Sequence, residues 1–155
     1  MLRFIIIIFA IFLCWTGYLI PDSLTNAIAA ETSQNQPFLS ACPRTPNCVV
    51  SQGADSQHAI DPIPYHVSRE QARETLLKVV SVVPRTEVIE KTDNYIHATS
   101  KSRIFKFVDD VEFYLPENEN VIHVRSASRV GESDLGVNRR RVEQIRLALQ
   151  DLGIS

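Results

Sequence analysis

The spacing of hydrophobic residues changes along the chain, and each change predicts a different element. Residues 4–20 are almost uninterruptedly apolar, whereas residues 37–64 hold five prolines and few apolar runs, which indicates an irregular arm. Between residues 67 and 83, apolar positions recur at helical spacing and form one stripe. Ser68 is suited to cap the start of this segment, and Pro84 ends it. We therefore predict a first helix over residues 67–83.

Four strands are predicted after this helix, because short apolar and alternating runs are separated by short polar turns. They span residues 86–90, 94–100, 103–115 and 121–128. Neighbouring strands joined by short turns form an antiparallel sheet. In the long third strand, alternation predicts an apolar face made by Phe105, Phe107, Val111, Phe113 and Leu115. Pairing this face with that of the fourth strand places Glu112 near Arg125 and Tyr114 near His123 on the opposite face.

A second helix is predicted over residues 136–152, with Asp134 or Ser133 as its cap. Its expected buried stripe comprises Leu135, Val142, Ile145, Leu149 and Leu152. Asn138 lies on the same stripe, so its amide needs hydrogen-bond partners in the interior. The order of elements predicts an α+β fold, in which a four-stranded antiparallel sheet carries two helices on one face.

The N-terminal 30 residues predict export. A short basic start at Arg3 precedes the apolar run, and small residues near position 30 offer a cleavage site for a signal peptidase. The alternative is an uncleaved membrane anchor at residues 4–20, whose length is close to that needed to span a bilayer. Either reading exports the remainder. We divide the chain into a signal segment at 1–30, a linker at 31–38 and a single domain at 39–155.

The charge and the cysteine content of the chain restrict the partners, cross-links and cofactors that we expect. The formal net charge is −2 at pH 7, and removal of the signal segment leaves it unchanged. With export, this argues against nucleic acid as a partner. Cys42 and Cys48 predict a disulfide that pins the irregular N-terminal arm. His58 and His66 follow at spacings unlike those of zinc sites, so we predict neither a metal nor another cofactor.

The first candidate for chemistry is the acidic pair Asp109 and Asp110 in the long strand. Asp109 occupies a position where alternation predicts an apolar residue, which suggests a bulge that would aim both carboxylates at one place. Paired carboxylates suit acid–base catalysis or a hard cation. The alternative is that Asp109 pairs with an arginine and has a structural role.

The second candidate is a polar corner at residues 125–143, which is rich in arginine, serine and glycine and leads into the second helix. Its ligand-binding candidates are Arg125, Ser126, Ser128, Arg129, Asp134, Asn138, Arg139 and Arg141. Arginine forks beside a helix start suit phosphate, sulfate or carboxylate groups. Cations at a helix start oppose the helix dipole, so an internal network with nearby carboxylates is the alternative.

Five segments carry a family resemblance. They are Cys42-Pro-x-x-Pro-Asn-Cys48-Val-x-Ser51, Ile60-x-Pro62-Ile63-x-Tyr65, Tyr95-Ile-His97-Ala, Ser102-Arg103-x-Phe105-x-Phe-Val-Asp109-Asp110-Val-Glu112-Phe, and Arg125-Ser-Ala-Ser-Arg129-x-Gly131-x-Ser-Asp134-Leu-Gly136-x-Asn138-Arg139-x-Arg141-Val-Glu143. In this order they resemble the domain-of-unknown-function 1499 family over about residues 39–152. The resemblance implies a small domain of exported bacterial and plastid proteins, hence the periplasm, the thylakoid lumen or the extracellular space. It implies no activity.

Three functional hypotheses follow. The first is a non-enzymatic exported module that binds a partner protein or a small anionic ligand through the polar corner. The second is an enzyme that uses Asp109 and Asp110, with or without a divalent cation. The third gives the corner a purely structural role and predicts that Asp109 and Arg129 are energetically coupled. On any of them, membrane contact is expected only through an uncleaved N-terminal segment.

Overall fold

The structure is a computed structural model that describes residues 38–155. The predicted signal segment and all but the last residue of the predicted linker lie outside the described residues, and they stay predictions. The described elements are β1 (Cys48–Val50), β2 (Ile63–Pro64), α1 (Arg69–Val82), β3 (Thr86–Lys91), β4 (Tyr95–Lys101), β5 (Val108–Tyr114), β6 (Val121–Ser128) and α2 (Val137–Asp151). Neither of these helices is long and apolar enough to cross a membrane.

The sheet contains six strands in the described part of the chain, so the prediction of four strands was wrong. Their order is β1-β6-β5-β4-β3, and β2 pairs with β6 on the same edge as β1. Every strand pairing is antiparallel. Strands of three and two residues are too short to show alternation, and their partner β6 lies about sixty to eighty residues away. The α+β class and the two helices are confirmed.

One hydrophobic core forms between the sheet and both helices. The sheet contributes alternate residues such as Ile96, Val111 and Phe113, while α1 contributes Leu76 and α2 contributes Leu149. These side chains are at most 1 % exposed. Burial of side chains from both helices against one sheet face provides the main stabilisation of such a domain.

Local signals set the limits of α1 as predicted. Ser68 is the N-cap, and its hydroxyl accepts a hydrogen bond from the backbone N–H of Gln71 at 3.2 Å. The helix ends at Val82, two residues before Pro84, which supplies no backbone N–H for a further turn.

The disulfide between Cys42 and Cys48 is present, with a Cα–Cα distance of 5.6 Å. It closes the loop that leads into β1, so the predicted disulfide is confirmed, whereas the arm is not wholly irregular because it contains β1 and β2. Asn47 anchors the same loop, because its side-chain amide donates to the carbonyl of Gly131 at 2.6 Å. Near the start of the arm, the ring of Phe38 stacks on Tyr114 with ring centroids 4.1 Å apart. The arm thus covers part of the sheet face opposite the helices.

The predicted long strand is shorter than expected, because β5 begins only at Val108. Residues 102–107 form a loop in which Phe105 and Phe107 are 74 % and 51 % exposed, so their predicted burial was wrong. The partner strand β4 ends at Lys101, which pairs with Val108. Beyond this pair no strand remains to continue the ladder, and the positive φ of 59° at Lys106 turns the chain away.

The predicted bulge at the acidic pair was also wrong. Asp109 pairs with Ser100 and Ser128, and Asp110 pairs with Thr99 and Ala127, in unbroken register. Successive residues of a regular strand point to opposite faces. Asp109 therefore faces the helices, and Asp110 faces away from them.

The start of α2 is capped by Asp134, one of the two predicted caps. The Asp134 carboxylate accepts hydrogen bonds from the backbone N–H groups of Gly136 at 2.9 Å and Asn138 at 2.7 Å. Gly136 itself occupies the N-cap position with a φ of 76°. This turn and the helix end leave Leu135 and Leu152 84 % and 58 % exposed, so their predicted burial was wrong.

Candidate functional site

The sheet divides the sequence-predicted polar residues between its two faces. We define the inner cluster as Asp109, Ser126, Ser128, Asn138 and Arg141, which lie on the side of the helices. We define the outer cluster as Asp110, Glu112, Arg125, Arg129 and His97, which lie on the opposite side. The residues of the polar corner are therefore divided between two separate clusters.

Asn138 is the centre of the inner cluster and is fully buried. Its Oδ1 accepts hydrogen bonds from Ser126 Oγ and from Arg141 Nη1, both at 2.6 Å. Its Nδ2 donates to Ser128 Oγ at 3.1 Å and to the backbone carbonyl of Asn47 at 2.9 Å. An amide has two donors and two acceptor positions, so this side chain is fully satisfied.

An ion pair completes the inner cluster. Arg141 Nη2 lies 2.6 Å from Asp109 Oδ2, and the two side chains are 12 % and 7 % exposed. Arg141 Nη1 also donates to Ser126 Oγ at 3.0 Å. Asp109 thus replaces an apolar residue on the inner face because it has a cationic partner there, and removal of either partner would leave a buried charge uncompensated.

Asp110 is the centre of one half of the outer cluster. Arg129 binds it in a bidentate manner, with Nε to Oδ2 at 2.9 Å and Nη2 to Oδ1 at 2.8 Å. His97 Nε2 lies 2.8 Å from Oδ1. The hydrogen bonds from Arg129 lower the pKa of Asp110, partial burial works in the opposite direction, and the bond with His97 lowers the pKa further. In turn, the carboxylate raises the pKa of Arg129.

Glu112 is the centre of the other half. Arg125 Nη1 donates to Glu112 Oε2 at 2.6 Å, and Tyr95 Oη donates to Oε1 at 2.8 Å. Burial raises the pKa of Tyr95, and its hydrogen bond to Glu112 raises it further. The predicted neighbourhood of Glu112 and Arg125 is confirmed, as is the pairing of Tyr114 with His123.

Two of the candidate residues lie outside both clusters. Asp134 caps α2, as described above. Arg139 extends from the first turn of α2 to the arm, where it donates to the carbonyls of Ala59 at 2.8 Å and Gln57 at 3.2 Å. Every one of the eight ligand-binding candidates therefore makes hydrogen bonds within the domain.

A basic pocket of about 370 Å³ opens beside the inner cluster. Its charged lining consists of Arg85, Lys101, Arg103, Arg140, Arg141 and Asp109. These residues come from the turn after α1, from the end of β4 and the following loop, from β5 and from the first turns of α2. Five cationic residues and one acidic residue thus line the pocket.

Sequence reasoning named Asp109 and Arg141 of this pocket as candidates, but not Arg85, Lys101, Arg103 or Arg140. Arg103 lies in one of the segments that carry the family resemblance, whereas Arg85 and Lys101 are ordinary surface cations that no local motif distinguishes. Strand pairing brings two of them together, because Lys101 N donates to the Arg85 carbonyl at 2.9 Å and Arg85 Nε donates back to the Lys101 carbonyl at 3.1 Å. Only the pairing of β3 with β4 would have revealed this neighbourhood.

The basic pocket suits an anion better than a cation or a reacting group. Asp109 is already paired with Arg141, so the remaining lining charge is positive. Guanidinium groups carry several N–H donors in a fixed fork that matches carboxylate and phosphate oxygens. Arg140 uses Nη1 for the Leu135 carbonyl at 2.9 Å and has further N–H donors.

A larger depression of about 450 Å³ lies between α1 and the edge strand β3. Its lining includes Leu77, Val88 and Ile89, together with Lys78, Glu90 and Lys91, and none of the sequence-predicted site residues. We regard the smaller basic pocket as the better candidate, because all of its charged residues except Asp109, which is already paired with Arg141, are cationic. Among residues 38–155 there is no group of three or more metal-ligating side chains arranged to hold an ion.

A comparison with known proteins shows that both clusters and the basic pocket lie in a region matched by one family model. The sequence model of the family described as "Protein of unknown function (DUF1499)" matches residues 38–149, well over half of the chain. No curated protein and no solved structure shows a significant match. The matched region contains both clusters and every residue that lines the basic pocket.

Proposed function

We propose that this chain, which belongs to the DUF1499 family of proteins of unknown function, is an exported module that binds a small anionic ligand in the basic pocket. The observation that carries the proposal is the excess of positive charge in that pocket. Five cationic residues and one acidic residue, Asp109, line it, and the Asp109 carboxylate is paired with Arg141 at 2.6 Å. Export is inferred from the N-terminal sequence and agrees with the disulfide.

Binding is favoured over carboxylate catalysis by the orientation of the two aspartates. Asp109 and Asp110 point to opposite faces of the sheet, so they are not a catalytic pair. Arg141 holds the first, and Arg129 holds the second in a bidentate manner. A general base needs a pKa near the working pH, whereas Arg129 lowers the pKa of Asp110. We therefore do not propose the carboxylate-dependent enzyme.

The pocket restricts the ligand to a small molecule or a single side chain. Its volume of about 370 Å³ is near the lower limit of small-molecule sites. Arginine forks from Arg103 and Arg140 suit phosphate, sulfate or carboxylate oxygens. Asp134 already accepts from the backbone N–H groups of Gly136 and Asn138 at the start of α2, so we expect side chains to bind the anion. An acidic side chain of a partner protein would use the same cations.

The proposal is tested by isothermal titration of the exported protein with phosphate, sulfate and citrate. We expect binding that weakens about tenfold in Arg103→Ala and in Arg140→Ala, since each removes a charge-assisted hydrogen-bond donor. Arg139→Ala is the matched control, because Arg139 has the same charge, neighbours Arg140 and does not line the pocket. Equal affinities of Arg140→Ala and Arg139→Ala, or no binding of any of the three anions, would contradict the proposal.

A further inference from the structure

The loop at residues 102–107 presents three large apolar side chains to solvent. Ile104, Phe105 and Phe107 are 76 %, 74 % and 51 % exposed. The two phenylalanine rings stack on each other, with centroids 5.6 Å apart, rather than on the core. Apolar side chains that are exposed together mark an interaction surface, because the domain gains nothing by leaving them in water. We call residues 102–107 the tip loop.

The tip loop is a defined protrusion of the sheet. Ser102 N donates to the Phe107 carbonyl at 2.8 Å, and Phe107 N donates to Ser102 Oγ at 3.0 Å. These two hydrogen bonds close the base of the loop directly above the last pair of β4 and β5, Lys101 with Val108. The apolar side chains therefore project from a closed base, and little conformational entropy is lost when they bind a partner.

Positive charge surrounds these apolar side chains. Lys101, Arg103 and Lys106 lie in or beside the loop, and residues 101–107 contain no acidic residue. The nearest acidic residues in the sequence, Asp109 and Asp110, are both paired with arginines. Glu87 lines a depression with Lys101, Lys106 and a further arginine, so cations outnumber it there.

We propose that the tip loop docks on the surface of an anionic lipid bilayer. Phe105, Phe107 and Ile104 would enter the interfacial region, where aromatic side chains are favoured. Lys101, Arg103 and Lys106 would lie at the level of the anionic headgroups. A convex tip inserts into a fluid surface without a preformed cavity, whereas a protein partner would have to provide a matching hollow.

This inference goes beyond the proposed anion site and does not require it. Docking depends on the exposed apolar side chains of the tip loop, whereas anion binding depends on the pocket behind it. It also adds a membrane contact to the one that sequence reasoning assigned to the N-terminal segment alone. Because Lys101 and Arg103 belong to both features, the two proposals are distinguished with Phe105, which belongs only to the tip loop, and with Arg140, which belongs only to the pocket.

A fluorescence experiment on the exported protein tests the docking. The chain has a single tryptophan, Trp15, so Phe105→Trp in a Trp15→Phe background reports on the tip loop alone. We expect a blue shift, and quenching by brominated lipid chains, with phosphatidylglycerol-containing vesicles but not with phosphatidylcholine alone. The matched control is Leu147→Trp in the same background, because Leu147 is 57 % exposed on α2 outside the loop.

Charge removal gives the second measurement. Neutralising Lys101, Arg103 and Lys106 together to glutamine is expected to lower vesicle affinity about 100-fold at low salt. Arg140→Ala is expected to keep the quenching of the Phe105→Trp reporter, so that failure of docking and failure of anion binding are distinguishable. Emission of Phe105→Trp that does not change with anionic vesicles, or quenching equal to that of Leu147→Trp, would overturn the proposal. Circular dichroism confirms that each variant is folded.

Discussion

At the scale of single residues, the partners of each polar side chain decide whether it stabilises the domain or is available to a ligand. Asn138 uses both donors and both acceptor positions of its amide inside the domain. Asp110 accepts hydrogen bonds from two nitrogens, Nε and Nη2, of the Arg129 guanidinium. Such groups contribute stability through charge-assisted or saturated hydrogen bonds. The side chains best placed for a ligand are instead cations of the basic pocket such as Arg140, with donors to spare.

The first prediction concerns Asp110 and pH. Its pKa is lower in the folded protein than in the unfolded chain, chiefly because of Arg129, so its ionised form favours folding. This stabilisation is present above the unfolded pKa of about 4 and is lost as the pH falls through the lower folded pKa. We expect Asp110→Asn to lower the Tm at pH 7 and to have a smaller effect near pH 3, as measured by thermal denaturation.

The control for this experiment is Asp93→Asn, which removes an exposed carboxylate from the turn between β3 and β4. It is expected to leave the Tm nearly unchanged at either pH. If the Tm difference caused by Asp110→Asn were the same at pH 7 and pH 3, the assignment of the stabilisation to the ionised carboxylate would be wrong.

At the scale of elements, the hydrogen-bond partners of a strand decide where it begins and ends. The pattern of apolar and polar residues within the strand does not. β5 stops extending toward its N-terminus where β4 ends, at the pair of Lys101 with Val108. β1 and β2 become strands only because β6 offers them an edge. In contrast, α2 begins where a local cap places it, since the Asp134 carboxylate accepts from the backbone N–H groups of Gly136, the N-cap residue, and of Asn138 in the first turn.

The second prediction concerns this cap. Asp134→Ala removes the acceptor of two backbone N–H groups and is expected to lower the free energy of unfolding by about 1 kcal/mol. Ser133→Ala is the matched control, because Ser133 Oγ accepts only the exposed N–H of Leu135 at 3.3 Å. Urea denaturation of both variants measures the difference. Equal destabilisation by the two substitutions would show that Ser133 shares the capping role.

At the scale of the whole molecule, the sheet separates the inner cluster from the outer cluster, although their residues lie close together in the sequence. The acidic residues of β5 are divided between its two faces, with Asp109 on the inner face and Asp110 and Glu112 on the outer face, and each pairs with an arginine on its own side. Asp109 pairs with Arg141 of α2, whereas Asp110 pairs with Arg129 just beyond β6. The hypothesis that Asp109 and Arg129 form one unit therefore loses its geometric basis, although an internal role for most of the polar corner is strengthened.

The third prediction is a pair of double-mutant cycles. Asp109→Asn and Arg141→Met are expected to show a coupling energy of about 0.5–3 kcal/mol, because the two side chains form a buried pair. Asp109→Asn and Arg129→Met are the matched control and are expected to be additive, since they lie on opposite faces. Unfolding free energies from urea titration measure both cycles. A coupling of Asp109 with Arg129 as large as that with Arg141 would contradict the separation of the networks.

Much of this fold was predictable from the sequence, because its causes are local. The capping of α1 by Ser68 and of α2 by Asp134 involves residues within one helical turn. The neighbourhood of Glu112 and Arg125 follows from alternation in two strands joined by a short turn. The disulfide closes a loop with a sequence separation of six residues. The family resemblance is confirmed by the match over residues 38–149.

The features that bear on function came from contacts between distant parts of the chain. The sequence by itself determined two helices, an antiparallel sheet and a polar pair of segments, because periodicity and short turns act over a few residues. Only the tertiary structure decided that Asp109 and Asp110 face apart, and that Arg85 meets Arg103 and Arg140 around one pocket. It also decided that Phe105 is exposed, because the end of β4 leaves the tip loop without a partner strand. Register and strand ends are set by pairing across the sheet, which no local pattern encodes.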